Sequence, residues 1–286
     1  MSNPTVAIQP NLVYGKRDAT DLTFDRYMPA NPNGASILFV NSGGFVSGKL
    51  IQYAEDMPSS YRFLQSDELT VEQGDPIPLL AQFSFARLLD AGFAVFDIRH
   101  SNAPHTVDSM LDDVRAAITH IHGTCLADSL DPNRMGIFGA SSGGHLSLAA
   151  GLSTQAGSGQ RVIAAMATFY PAGFDFLADI SAFPQIREGL PALSVSDDVL
   201  EKISIKNLYQ SGGAPTLVIY GDNDFPFILN PCRSICSEFP KAGIETKCIM
   251  IEGAAHEFMR EDGYHADDGN RAQTALVAWF QRQLAS

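Results

Sequence analysis

The segment from Arg134 to Leu152, RMGIFGASSGGHLSLAAGL, constrains the fold of this chain more than any other. Its pattern predicts a short apolar strand, then a glycine-flanked serine, then a helix of small residues. A Gly-x-Ser-x-Gly sequence fits a sharp strand-to-helix turn, because the residues two positions before and after the serine must have almost no side chain. Gly139 and Gly143 meet that demand around Ser141. The segment therefore predicts a serine hydroxyl presented at the top of a strand.

The choice of serine within this segment needs a second argument, because the chain has 24 glycines and such a pattern can arise by chance. Ser142 is a rival, with Ala140 and Gly144 at its own flanking positions. The apolar run ends at Phe138-Gly139, which places Ser141 at the apex of the turn. The amides that begin the following helix would favour a developing negative charge there. We therefore predict Ser141 as the nucleophile.

Composition excludes several classes of function. The formal net charge of −13 over 286 residues argues against nucleic-acid or anionic-membrane partners, since both need clustered Lys and Arg. No apolar run reaches the roughly 18 residues of a transmembrane helix, and the first residues lack the pattern of a signal peptide. The four cysteines have no metal-ligand spacing, and Cys232 and Cys236 fall at i,i+4 on one predicted helix, too far apart for an easy disulfide. Reduced thiols in a cytoplasmic protein, without a metal or cofactor, are the expectation.

Apolar runs and amphipathic segments alternate along the chain. Continuous apolar runs predict buried strands, and a 3.6-residue repeat at 106–122 and 270–284 predicts helices. Alternation after residue 35 predicts a mostly parallel sheet with helices on both faces, in one domain covering residues 1–286. Two irregular stretches, 49–78 and 172–213, are predicted to form cap or lid excursions.

A serine, an aspartate and a histidine each follow a predicted buried strand, in the chain order Ser141, Asp224, His256. The carboxyl ends of parallel strands meet at one edge of a sheet, where open α/β sheets place their sites. A serine hydroxyl needs an imidazole to accept its proton and a carboxylate to orient that imidazole. Asp222 is a close alternative to Asp224, although its turn position favours a bond to the backbone.

A glycine pair at another strand end supplies a candidate oxyanion hole. Asn41-Ser42-Gly43-Gly44 follows the predicted strand Ala35–Val40. Glycine amides at such a position can turn toward a carbonyl oxygen that is becoming an oxyanion. We predict the backbone amides of Gly43, Gly44 and Ser142 as its donors.

The chain resembles an α/β-hydrolase of the hormone-sensitive-lipase-like or bacterial acetyl-esterase type. The resemblance rests on Gly139–Leu146 at the serine, on Gly221–Asp224, where the carboxylate stands three residues after the glycine, and on Glu252–Phe258 around the histidine. It implies a central sheet of about eight strands, and it favours Asp224 over Asp222. Two departures stand out: Asn41-Ser42 replaces the usual His-Gly, and Lys49–Pro78 is longer than the usual connection.

The expected activity is hydrolysis of small carboxylic esters through an acyl-enzyme, without a cofactor. Aromatic residues in the two cap segments, among them Tyr53, Phe176 and Phe183, favour short acyl chains because they would shorten an acyl pocket. An amidase of the arylformamidase type is the alternative, since the same groups serve an amide. A non-catalytic ligand-binding homologue is the alternative from another class. The expected partner is a small-molecule ester, and a homodimer is left open.

Overall fold

The computed structural model describes residues 6–40, 43–46, 84–154, 161–209 and 213–285. Within these ranges eight strands form one sheet in the order β1-β2-β4-β3-β5-β6-β7-β8. The strands are β1 Ala7–Arg17, β2 Thr20–Met28, β3 Ser36–Val40, β4 Ala94–Ile98, β5 Met135–Ala140, β6 Ala165–Phe169, β7 Thr216–Gly221 and β8 Thr246–Ile251. From β4 to β8 every neighbouring pair is parallel, whereas β1 and β2 pair antiparallel at one edge. The predicted mostly parallel sheet of about eight strands is confirmed.

The strands at the centre of the sheet are buried on both faces. Every residue of β3, β4, β5, β6 and β7 is buried, which explains why these strands are continuous apolar runs rather than alternating ones. The chain forms these strands where β-branched and aromatic residues cluster between turns. Their carboxyl ends are therefore fixed relative to one another by a rigid, dry core.

Helices cover both faces, as predicted. They are α1 at 84–90, α2 Val107–Thr124, α3 Ser141–Ser153, α4 Phe176–Ala182, α5 Gln185–Gly189, α6 Asp197–Ile203, α7 Pro226–Lys241 and α8 Ala266–Gln283. A Cβ added to Gly136 of β5 would lie 2.7 Å from Phe280 of α8, whereas the next residue, Ile137, faces Gly151 of α3. Because successive strand residues point to opposite faces, α8 and α3 lie on opposite sides of the sheet.

Element bounds differ from the sequence prediction at a few ends. The last helix begins at Ala266 rather than residue 270. Asp267 and Asp268 occupy its first turn, where carboxylates favour the positive end of the helix dipole, and Asp268 pairs with Arg260 at 2.7 Å. Strand β6 begins at Ala165, although the apolar run in the sequence already begins at Val162.

Of the two predicted cap segments, the structure describes only the second. The segment 49–78 lies outside the described residues. The segment 172–213, as far as it is described, contains α4, α5 and α6 together with the 3₁₀ turns Pro191–Leu193 and Ile205–Asn207. These short helices follow β6 and so leave the same edge of the sheet as Ser141.

The expectation of four reduced cysteines is wrong. Cys236 and Cys248 form a disulfide with a Cα–Cα distance of 6.1 Å, while Cys125 and Cys232 are free and buried. The spacing of the cysteines in the sequence did not indicate this pair, because Cys236 lies on α7 and meets Cys248 only where that helix packs against β8. Disulfides persist mainly in oxidising compartments, so the cysteines no longer support a cytoplasmic location. Among the described residues, no helix has the length and apolar character needed to cross a membrane.

Candidate active site

The strand-to-helix turn at Ser141 is closed by direct backbone packing. Ser141 has a φ of 54°, in the left-handed region that side chains rarely adopt. A Cβ added to Gly139 would lie 2.3 Å from the carbonyl oxygen of Gly143, and one added to Gly144 would lie 2.5 Å from Thr168 Oγ1. The glycines are therefore required by close approach, and together they hold Ser141 at the top of β5.

Ser141, His256 and Asp224 form one hydrogen-bonded chain. His256 Nε2 lies 3.1 Å from Ser141 Oγ, and His256 Nδ1 lies 2.9 Å and 3.1 Å from the two carboxylate oxygens of Asp224. The Asp224 side chain is fully buried, whereas about a fifth of the His256 side chain is exposed. A carboxylate can only accept, so Nδ1 carries the proton and Nε2 faces the serine as an acceptor. This arrangement can remove a proton from the serine hydroxyl.

Asp222 and Asp224 bond to different groups. Asp222 Oδ1 accepts a hydrogen bond from the Gly253 amide at 2.6 Å at an exposed position, and it does not reach the histidine ring. A Cβ added to Gly221 would lie 2.0 Å from the Ala254 carbonyl oxygen, which also accepts from the Asn223 amide. The turn after β7 and the loop after β8 are thus joined through the backbone, which fixes the direction of the Asp224 side chain.

Aromatic rings hold the His256 imidazole in place. The ring of Tyr170 is buried with its centroid 4.7 Å from that of His256, and Phe258 packs 5.1 Å from Tyr170. Phe225 lies 5.8 Å from the histidine on another side. The sequence analysis assigned no site role to these three residues. A signal for Tyr170 was present, since it directly follows β6 at the same sheet edge.

The glycine turn after β3 contains Gly43 and Gly44, two of the predicted oxyanion donors. The Gly43 amide donates to the Val46 carbonyl at 3.1 Å, so it is engaged within the turn and does not serve as a free donor there. Gly44 follows with a φ of 58° and lines the cavity beside Ser141. The Phe45 amide donates to Ser142 Oγ at 2.9 Å. The Ser142 hydroxyl therefore ties this turn to the start of α3, where its own amide lies next to Ser141.

A mainly apolar cavity opens beside the serine, and together with the open solvent at its mouth it encloses about 410 Å³. Residues from the glycine turn, the start of α3, the cap helices and α7 line it: Gly44, Phe45, Ser141, Ser142, Ala172, Gly173, Phe176, Asp179, Ile186, Leu190, Leu193, Phe227 and Ile228. Of the predicted cap aromatics, Phe176 is in this lining and Phe183 is not, whereas Tyr53 lies outside the described residues. Asp179 is a lining residue that the sequence analysis missed.

His145 is a buried packing residue rather than a second base. Its ring is fully buried with its centroid 4.6 Å from that of Phe176 and 6.2 Å from that of Phe45. Burial lowers the pKa of His145 to about 4, and the nearby backbone of Ala172 and Gly173 opposes that shift. A neutral ring at this position packs the cap against the first turn of α3. Among the described residues no group of His, Cys, Asp and Glu side chains could hold a metal ion.

The chain is similar to a known protein family over part of its length and to several solved structures over almost all of it. The BD-FAE family model matches residues 79–174, which include Ser141. No curated protein matches the sequence. Among solved structures, the chain is similar to a carbohydrate esterase from gut microbiota (20% identity, 98% of this chain and 97% of that one, TM-score 0.71). It is also similar to carboxyl esterase 2 of the fungus Tuber melanosporum (19%, 99% and 89%, TM-score 0.72) and to a bacterial heroin esterase (17%, 98% and 85%, TM-score 0.72).

These similarities extend over almost the whole chain at low identity. At 17–20% identity they show the fold and not the activity. The chain therefore has the α/β-hydrolase fold, as the resemblance in its sequence implied. The three solved structures named above are each described as an esterase.

Proposed function

We propose that this protein is a serine-dependent carboxylic-ester hydrolase. The observation that carries the proposal is the continuous hydrogen-bonded chain from Ser141 through His256 to buried Asp224, next to an apolar cavity. A serine beside a neutral imidazole, itself oriented by a carboxylate, is the arrangement that activates a hydroxyl for acyl transfer. The esterase descriptions of the similar structures agree with this activity.

In the proposed reaction Ser141 Oγ attacks the ester carbonyl carbon while His256 Nε2 takes its proton. The buried Asp224 carboxylate stabilises the imidazolium that forms. The amides of Gly44 and Ser142 are the proposed donors to the oxyanion, and the Gly43 amide is not, because it is bonded to Val46. Removing one such donor typically raises the barrier by about 3–4 kcal/mol.

The tetrahedral intermediate then collapses and expels the alcohol, which receives the proton from His256. Water enters, gives a proton to His256 and attacks the acyl carbon. The second intermediate releases the carboxylic acid as Ser141 regains its proton. Every proton in this sequence passes through His256 Nε2, so no cofactor is part of the proposal.

The proposed substrates are small esters with short acyl chains. The cavity is bounded by the cap helices, and its lining includes the bulky side chains of Phe176, Leu190 and Leu193. Each methylene that enters an apolar cavity gains about 0.8 kcal/mol until the space is filled, and then it clashes. Chains up to about butyryl are expected to be preferred.

Covalent labelling tests the proposal directly. A fluorophosphonate probe should modify the purified protein once, and peptide mapping should place the adduct on Ser141. The Ser142→Ala variant should still be labelled, and the Ser141→Ala variant should not. An unlabelled protein that nevertheless binds short esters would support the non-catalytic binding alternative instead.

The amidase alternative is separated by leaving group. A p-nitrophenyl ester and a p-nitroanilide with the same acetyl group present the same acyl part to the cavity. An esterase should cleave the ester far faster than the anilide. Comparable specificity constants, after correction for the intrinsic reactivity of the two compounds, would favour the amidase.

A further inference from the structure

One ionisable side chain lines the cavity among the described residues, and the proposed reaction does not use it. Asp179 of α4 is 8% exposed, and its Oδ2 atom is buried with no hydrogen-bond partner within the part of the chain that the structure describes. The other lining residues there are glycine, alanine, serine and large apolar residues. Buried carboxylates in proteins are normally paired, and an unpaired one in a cavity indicates a functional site.

Helix capping does not account for Asp179. Asp175, one turn earlier, already caps α4: its Oδ1 accepts from the Ala178 amide at 3.2 Å, and its Oδ2 pairs with Lys206 Nζ at 3.0 Å. An acidic side chain in the first turn favours the helix dipole, but an exposed carboxylate gains as much without losing its water. Asp179 is buried, and at a buried position the gain from the helix dipole is smaller than the cost of removing the carboxylate from water.

Among the described residues, no positive charge compensates the Asp179 carboxylate. Burial raises the pKa of Asp179 to about 7, and the Asp175 carboxylate adds to that shift. Lys206 pairs with the carboxylates of Asp175 and Glu201. In mildly alkaline solution the Asp179 carboxyl beside the cavity is therefore mostly ionised, and its Oδ2 atom still lacks a donor among the described residues.

We propose that Asp179 binds a hydrogen-bond donor on the substrate, a hydroxyl or a protonated amine, and so selects short esters with a polar substituent over purely alkyl ones. This inference rests on the proposed esterase function and deepens it. A donor that reaches Asp179 restores the bond that the carboxylate lost to desolvation, whereas a methyl group of the same size leaves it unpaired. Sites built to hydrogen-bond a substrate group discriminate strongly against analogues that lack it.

Matched esters test the proposal at pH 8.5, where the Asp179 carboxyl is mostly ionised. The acyl series is p-nitrophenyl 3-hydroxybutanoate, 3-aminobutanoate and 3-methylbutanoate, in which a hydroxyl, an ammonium and a methyl group occupy the same position. The alcohol series is 2-hydroxyethyl acetate and propyl acetate. Specificity constants are measured for the wild type and for the variants Asp179→Leu and Asp179→Asn.

In the wild type, the specificity constant for the ester with a hydrogen-bond donor should exceed that for its methyl counterpart by about tenfold or more in at least one series. That series identifies which side of the ester faces Asp179. In Asp179→Leu, the ratio of the specificity constant of the donor ester to that of the methyl ester should fall below one, because the methyl-substituted ester becomes the better fit. Asp179→Asn should keep part of the preference for the hydroxyl and lose any preference for the ammonium. A merely structural role would lower all the specificity constants together.

Wild-type and Asp179→Leu ratios that agree within twofold in both series would overturn the proposal. If Asp179→Leu fails to fold, as judged by circular dichroism, unchanged ratios in all series of the isosteric Asp179→Asn would overturn it equally. The proposed function fails separately. A wild type that neither hydrolyses p-nitrophenyl acetate nor reacts with the fluorophosphonate at Ser141 would reject both, whereas normal acetate hydrolysis with equal ratios rejects the role of Asp179 alone.

Discussion

Buried polar groups are treated differently in two regions of the molecule. They are paired at the sheet edge around Ser141, and among the described residues one is unpaired on the cavity wall formed by the cap helices. At the sheet edge every proposed catalytic side chain has a partner: Ser141 to His256, and His256 to Asp224. The backbone there is packed at glycines that tolerate no Cβ. On the cap wall the packing is apolar, and Asp179 Oδ2 has no partner in the described part of the chain.

Acyl transfer and substrate selection therefore have different structural requirements in such a fold. Acyl transfer needs reacting atoms held within a few tenths of an ångström, and the ends of buried parallel strands supply that rigidity. Substrate selection needs a surface that can vary without disturbing the strands. Short helices outside the sheet supply it, so a polar group left unpaired on that wall is available to a ligand.

The largest effect is expected from Ser141→Ala, which should lower kcat for p-nitrophenyl acetate by at least about 10⁴-fold. The nucleophile is lost, whereas alanine fits the same strained turn. Circular dichroism and thermal unfolding should match the wild type. Ser142→Ala is the matched control: it removes the acceptor of the Phe45 amide and should reduce kcat far less. An inactive Ser142→Ala beside an active Ser141→Ala would exchange the two assignments.

A second large effect separates the two acids of the turn after β7. Asp224→Asn should lower kcat by roughly 10³- to 10⁴-fold, because an amide in place of the carboxylate neither stabilises the imidazolium nor favours the required tautomer. Asp222→Asn keeps an oxygen that can accept from the Gly253 amide, and should lose less than tenfold. Steady-state kinetics of both variants on one ester decides between them. Equal losses would show that the turn acts only as a structural unit.

The unpaired carboxyl should be visible in the pH dependence of stability. The pKa of Asp179 is about 7 in the folded protein against an ordinary value of 3.8, so folding takes up a proton between these values. Its contribution therefore lowers stability as pH rises from about 4 to 7, and the loss is complete above pH 7. Asp179→Asn should exceed the wild type by on the order of 2–4 kcal/mol in the free energy of unfolding at pH 8.5.

Urea unfolding at pH 4, 6 and 8.5 measures that difference, which should vanish at the acid end. Exposed Asp198, in the first turn of α6, gives a control variant, Asp198→Asn, for which no such pH-dependent gain is expected. A constant difference between wild type and Asp179→Asn across this range would mean that the carboxyl does not titrate as its burial implies.

The smallest effect concerns the size of the cavity. Leu190 lines it and lies close above Gly44, where an added Cβ would be 3.2 Å from Leu190 Cδ2. Leu190→Ala should move the preferred acyl chain toward hexanoyl, raising the ratio of hexanoate to butyrate specificity constants by roughly four- to fifteenfold, since each accommodated methylene gains about 0.8 kcal/mol. Phe183→Leu, on the same cap but outside the lining, should leave the ratio unchanged. A wild type that already prefers octanoyl esters would contradict a cavity whose length is limited by the cap helices.

Local sequence patterns predict the sheet and the edge at which the proposed catalytic residues lie. Buried parallel strands need continuous apolar runs, so β3 to β7 are visible as such, and the turn at Ser141 needs glycine where backbone meets backbone. Both are local requirements with local signals. Because the carboxyl ends of parallel strands share one edge, the chain order Ser141, Asp224, His256 implied that the three would be neighbours.

Which polar groups are bonded and which remain unpaired depends on the tertiary structure. The bond from Gly253 to Asp222, the engagement of the Gly43 amide by Val46 and the disulfide between Cys236 and Cys248 all depend on loop and helix placement. The same holds for Asp179 Oδ2, which no donor in the described part of the chain reaches. Periodicity shows which face of an element is buried, but it does not show which atoms from distant segments meet there. A hydrogen bond or a disulfide forms only when two such segments come within a few ångströms in a suitable direction.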